Sequence, residues 1–146
     1  MVVIEAVLLG LAAGFVGTMV LTLSERTEMA LTGREPSMVP GQVGARLMGR
    51  DDEPGLERRS TIVHWLHGVA SGSIRGLLSL TGLGAVSASI LFFVLVWSSD
   101  ALVYRLLGIA DVPWRWEGSA LATDLFHKGV YAVATSAAFV VLQSAL

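Results

Sequence analysis

Four long stretches of this chain carry almost no charge, and each is closed by residues that end helices. The first apolar run is Ala6 to Leu23. Its helical pattern predicts continuation to Thr32, where Gly33 can take a left-handed cap and Pro36 forbids more helix. A second run goes from about Ile62 to Leu83, with Ser60 or Thr61 as its expected N-cap. The third extends from Ala85 to Leu107 and stops at Gly108, with Pro113 beyond; the fourth opens near Ser119 and reaches Leu146. A bilayer core about 30 Å thick needs roughly 20 mostly apolar residues per helix. The pattern therefore predicts four transmembrane spans, at about 3–32, 61–83, 85–107 and 119–146.

The links add detail. Ser79-Leu80-Thr81-Gly82-Leu83-Gly84 joins spans two and three without a charge, and so short a link makes antiparallel neighbours. The first link, about 33–60, is longer. Within it Gly41 to Gly49 can form a short amphipathic helix at the membrane surface, with Val43, Leu47 and Met48 toward lipid, and Arg50 to Gly55 reads as polar loop. Trp114 and Trp116 in the third link suit an interfacial aromatic belt. The expected fold class is all-α: a single-domain integral membrane four-helix bundle.

Composition narrows the possible functions. Charged residues make up 15% of the chain, whereas a soluble domain carries about a quarter. There is no Cys, which removes disulfides, thiolate metal sites and a cysteine nucleophile. A net charge of −2 gives no footing for nucleic acid. The start, Met1-Val2-Val3-Ile4-Glu5, lacks the basic region of a signal peptide, so the first run is read as a mature helix. Arg26, Arg34, Arg46, Arg50, Arg58, Arg59, Arg105, Arg115 and Lys128 all fall on one side of the predicted spans. The positive-inside rule puts that side in the cytoplasm and both termini outside, for a multi-pass protein of the inner (cell) membrane. Only Arg75 lies elsewhere.

The two halves look like copies of one helical hairpin, a 2+2 arrangement. Glu25 precedes Gly33 by eight residues, as Asp100 precedes Gly108. His64-x-x-His67 matches Asp124-x-x-His127, and the same offset of 60 carries Ser71 onto Tyr131 and Arg75 onto Thr135. Each set recurs at the spacing of one helical stripe. Gly10, Gly14 and Gly17 in span one, and Gly68, Gly72 and Gly76 in span two, form rows of small residues that allow close helix approach in lipid. Such faces also make a homodimer or a membrane-protein partner a candidate.

Threading brings Glu25, Glu28, His64, His67, Asp100, Asp124 and His127 to similar depth on the cytoplasmic side. This pattern resembles the ligand set of four-helix di-iron carboxylate bundles. The resemblance implies Glu25 and Asp100 as single carboxylates and the two i, i+3 pairs as the remaining ligands, for Fe, Mn or Zn. His64 stands where that pattern has Glu. A second reading takes His67 and His127 as the axial ligands of one haem, with Gly68 and Gly72 leaving room for it. A bland reading has the same residues capping and anchoring helix ends. Asp100 lies about a turn inside the polar boundary, where a charge costs about 2.5–3.5 kcal/mol at full depth and usually marks function. Arg75 and Tyr131 are candidates for binding substrate, Arg75 for an anionic group or lipid head; structurally, Arg75 could instead meet Glu5. No phosphate loop, nucleophile elbow or His-Glu-x-x-His motif is present.

The layout also resembles small bacterial inner-membrane proteins typified by the YagU-like acid-resistance family. The matching features are Glu25 closing span one before Pro36 and Pro40, His64 or His67 entering span two, and Asp124 with His127 opening span four. Span three departs from it, with Asp100 and no His. The leading expectation is a membrane protein whose polar cluster binds a transition metal, for redox chemistry or metal handling. Three others stay open: a non-catalytic scaffold subunit, a bis-His haem protein, and a proton or small-solute carrier using Asp100, the histidines and Arg75 as a polar path. Whether the protein is an enzyme is left open.

Overall fold

A computed structural model describes residues 1–50 and 55–145. The polar tract expected at 51–54, and the last residue of the fourth span, lie outside the described residues. Among the described residues there are helices, turns and irregular links, and no strand. The helices are α1 (Val3–Thr32), α2 (Val39–Leu47), α3 (Leu56–Leu78), α4 (Ala85–Leu106) and α5 (Gly118–Ser144), with single 3₁₀ turns at Ser79–Thr81 and Pro113–Arg115.

Local chemistry explains the boundaries. The Glu5 carboxylate accepts the Val2 backbone N–H at 2.9 Å, closing the start of α1. At its other end Gly33 adopts φ 73° and returns its N–H to the Met29 carbonyl at 2.9 Å. Gly82 and Gly108, at φ 76° and 66°, turn the chain after the Ser79–Thr81 turn and after α4. The start of α3 departs from expectation, since the helix begins at Leu56, before Ser60 and Thr61. Neither caps it. Ser60 Oγ donates instead to the Ser37 carbonyl at 3.1 Å, and Thr61 Oγ1 to the Glu57 carbonyl at 3.3 Å. The reason is α2, which packs on this extra turn through Gly41, Gly44 and Ala45. A Cβ on Gly41 would lie 2.5 Å from the Leu56 carbonyl oxygen. The amphipathic segment is thus docked on α3; Leu47 and Met48 are exposed as expected, but Val43 is half-buried.

The long helices pack in a ring of antiparallel neighbours. In the α1/α3 seam, Ala6 meets Gly76, Gly10 meets Gly72 and Gly14 meets Gly68. A Cβ on Gly10 would come 2.5 Å from the Gly72 carbonyl oxygen, so the absence of side chains sets this approach. Gly17 faces the other way, toward Thr135 of α5. The α4/α5 seam pairs Phe92 with Tyr131 and Trp97 with Asp124, and the α3/α4 seam pairs His67 with Asp100. Consequently α3 and α5 run the same way and lie diagonally across the assembly. An apolar core of Leu78, Ala88, Phe92, Val96, Tyr131 and Ala132 joins α3, α4 and α5.

Three helices, α1, α4 and α5, are long and apolar enough to cross a membrane. Their outward faces expose Leu8, Phe15, Ile90, Leu102, Val133 and Val141, which suits contact with lipid. At 23 residues, about 35 Å, α3 is long enough to cross as well, but its charges, histidines and glycines make it less apolar. The ends are called here the loop end, which carries the α1–α3 and α4–α5 connections, and the terminal end, which carries both chain termini.

Candidate functional site

The seven acids and imidazoles expected to converge do gather toward the loop end, but they divide among separate seams. Between α1 and α3, His64 Nε2 lies 3.0 Å from Thr22 Oγ1 and 4.0 Å from Glu25 Oε2. Between α1 and α5, the buried His127 shares a 3.1 Å hydrogen bond through Nδ1 with Ser24 Oγ, and its Nε2 is 3.6 Å from Glu28 Oε2. Glu28 in turn accepts from Arg34 at 2.9 and 2.7 Å and from Thr32 at 2.9 Å. Each histidine of the chain therefore faces a carboxylate on another helix, the third being His67.

That third pair forms the densest part of the site. Asp100 Oδ1 is 3.0 Å from His67 Nε2 on α3, and Asp100 Oδ2 accepts a short hydrogen bond from Lys128 Nζ on α5. Asp100 is 6% exposed, so α4 presents its carboxylate to the interior. Lys128 also lies 3.8 Å from Asp124 Oδ1, donates to the Tyr104 hydroxyl at 3.4 Å and sits over the Tyr104 ring. Asp124 Oδ2 accepts the Trp97 indole N–H at 2.9 Å. Four ionisable groups from three helices are thus linked around one ammonium.

This arrangement bears on two expectations. Lys128, counted with the basic residues of the loop end, turns its ammonium into this network. Its position next to Asp100 and Asp124 is where a cation shared by those carboxylates would otherwise sit. Among the described residues no group of three or more His, Asp or Glu side chains is arranged to hold a metal ion. The two imidazoles considered as axial haem ligands are engaged at different seams, His67 with α4 and His127 with α1.

Toward the terminal end a buried polar file continues between α3 and α5. The Tyr131 hydroxyl donates to the Gly68 carbonyl at 2.6 Å. Ser71, Thr135 and Ser136 are buried beyond it, and Arg75 Nε donates to Ser136 Oγ at 3.1 Å. The expected stripe of Ser71 and Arg75 on α3 therefore turns inward, as do Tyr131 and Thr135 at the matching positions of α5. Arg75 does not meet Glu5, whose carboxylate is engaged at the start of α1. Among the described residues two buried side-chain atoms have no hydrogen-bond partner, His127 Nε2 and Thr135 Oγ1, one toward each end of this path.

No protein-family model matches the chain, and comparison with curated proteins and with solved structures gives no match either.

Sequence reasoning missed Lys128, Trp97, Tyr104, Ser24 and Thr22 as members of the site. Lys128 carried a usable signal, since it follows Asp124 by four residues and so can lie over the same turn. The others are ordinary residues of apolar helices and carry none. Outside the helices, Asp111 orders the third link. It accepts the Val112 backbone N–H at 2.8 Å and faces Arg115 at 3.1 Å, contacts that hold its carboxyl below the usual carboxylate range. Its carbonyl accepts the Trp116 indole, while Trp114 projects outward.

Proposed function

We propose that this chain is a proton-linked carrier of the cell membrane, with all four long helices crossing the bilayer and the loop end in the cytoplasm. The observation that carries the reading is Asp100, a buried carboxylate inside a helix bundle, held between an imidazole on α3 and an ammonium on α5. Such groups are rare within membranes and mark proton relays and ion paths in pumps and transporters. A carboxylate, an imidazole and an ammonium in contact offer alternative places for one proton, and each placement changes which helices are tied together.

The steps follow from the arrangement. His64 with Glu25 and His127 with Glu28 receive protons near the cytoplasmic surface. The His67–Asp100–Lys128 group holds the proton at greater depth. Tyr131, Ser71 and Thr135 continue the hydroxyl path between α3 and α5. Because α3 and α4 meet near that depth through the His67–Asp100 bridge, neutralising Asp100 loosens the seam.

Purified protein in liposomes tests this. Under an imposed pH gradient with a trapped pH dye, wild type takes up protons. Asp100→Asn, folded by circular dichroism and gel filtration, does not. Equal uptake by the two proteins would remove Asp100 from the path.

The metal reading retains one specific support, the unpartnered Nε2 of His127 beside Glu28. Under it, Fe, Mn or Zn would copurify with wild type and be lost in His127→Ala. Metal content near zero in both leaves the carrier reading alone.

A further inference from the structure

Arg75 stands apart from the loop-end network. It occupies the last turn of α3 and is 2% exposed. Its Nε bonds to Ser136, and its guanidinium lies 4.7 Å from the centre of the Phe139 ring. A guanidinium carries five N–H donors, and the Nη groups make no hydrogen bond among the described residues. No carboxylate among the described residues pairs with it. Glu5, the one acidic side chain at the terminal end among the described residues, is turned to the Val2 N–H. The C-terminus of α3 contributes about half a negative charge, which favours a cation there without cancelling it.

A fixed cation in a narrow polar path is a barrier to protons and other cations, as arginines are in selective pores. A path with a proton site at Asp100 and an unneutralised arginine at Arg75 is therefore incomplete for protons alone. A negative guest at Arg75 removes the barrier. The hydroxyls of Ser71 and Thr135 lie on the same buried stripes, and the Thr135 hydroxyl has no partner of its own. We infer that the file takes a small monovalent anion at Arg75 and carries it together with the proton. The guest is monovalent because Arg75 is the single buried positive charge at that end among the described residues. This inference rests on the carrier reading for the transport, though not for the binding.

Two measurements test it separately. In detergent, thermal unfolding is followed in chloride, nitrate and methanesulfonate against bulky gluconate, at equal ionic strength. Wild type melts higher in at least one of the three small anions. Arg75→Gln loses that difference, and Arg75→Lys, which keeps the charge but not the fork, keeps part of it. In liposomes, wild-type proton uptake is about five-fold or more faster with the stabilising anion than with gluconate, a coupling of ordinary size. Identical melting of wild type in all four salts overturns the anion site, whether or not Arg75→Gln folds. Proton uptake by wild type that ignores the anion overturns the coupling while sparing the carrier reading. Absence of proton uptake in every salt ends the carrier reading, and with it the transport half of this inference.

Discussion

Replacing Lys128 by Met removes the ammonium from the centre of the Asp100 network and leaves that carboxylate with one partner. The side chains of Asp100 and Lys128 are 9% and 15% exposed, so little solvent screens the pair. Two unit charges about 4 Å apart interact by about 4 kcal/mol at an effective dielectric near 20. Breaking a buried pair by removing one partner costs about 3–5 kcal/mol. His67 stays 3.0 Å from the other carboxylate oxygen, which compensates in part and puts the loss at the lower end, about 3 kcal/mol. The assay is reversible unfolding in mixed micelles, followed by circular dichroism, for Lys128→Met, Asp100→Asn and the double variant. The double variant should lose less than the two singles together, by about 2 kcal/mol. A Lys128→Met protein within about 0.5 kcal/mol of wild type, or strictly additive losses, would refute the network.

The glycine seam makes a sharper contrast. Gly72→Ala drives a Cβ into the Gly10 carbonyl and within 2.6 Å of the Gly14 Cα, so backbone must move and about 1–3 kcal/mol is lost. Gly129→Ala, with nothing within 4 Å of the added carbon, gains up to about 1 kcal/mol from helix propensity; unfolding of both variants measures this. Asp111 gives a pH prediction. Its carboxyl is held low by the Val112 N–H and Arg115, so its stabilisation of the third link is complete above the ordinary carboxylate range and is lost as pH falls through its depressed value. Tryptophan fluorescence should report that loss in acid, and Asp111→Asn should remove the acid transition.

Much of the fold was legible in the chain, and the reason is local. Gly33 and Gly108 end their helices as their backbone freedom predicts, and four runs of low charge become four long helices. The early start of α3 was not legible, because it depends on α2 docking through Gly41 and Gly44, a tertiary contact. The inward positions Ser71 and Arg75 of α3 and Tyr131 and Thr135 of α5 could be read from their spacing, whereas His67 on the same α3 stripe is half exposed. Which seam each residue enters could not. Apolar side chains surround a membrane helix on every side, so hydrophobic periodicity leaves its rotation undetermined. Lys128 shows the consequence: its place on the basic side was legible, but not that its long side chain reaches two carboxylates on α4 and α5. The single converging cluster likewise resolved into three bridges, since equal depth does not imply a shared seam.

Transport by this chain requires a water-accessible polar file between α3 and α5. Because the chain contains no Cys, single substitutions report accessibility without background. Ser71→Cys and Thr135→Cys, in membranes, should react with a small water-soluble thiol reagent, whereas Val133→Cys on the exposed apolar face of α5 should not. Unreactive thiols at both Ser71 and Thr135 would contradict it.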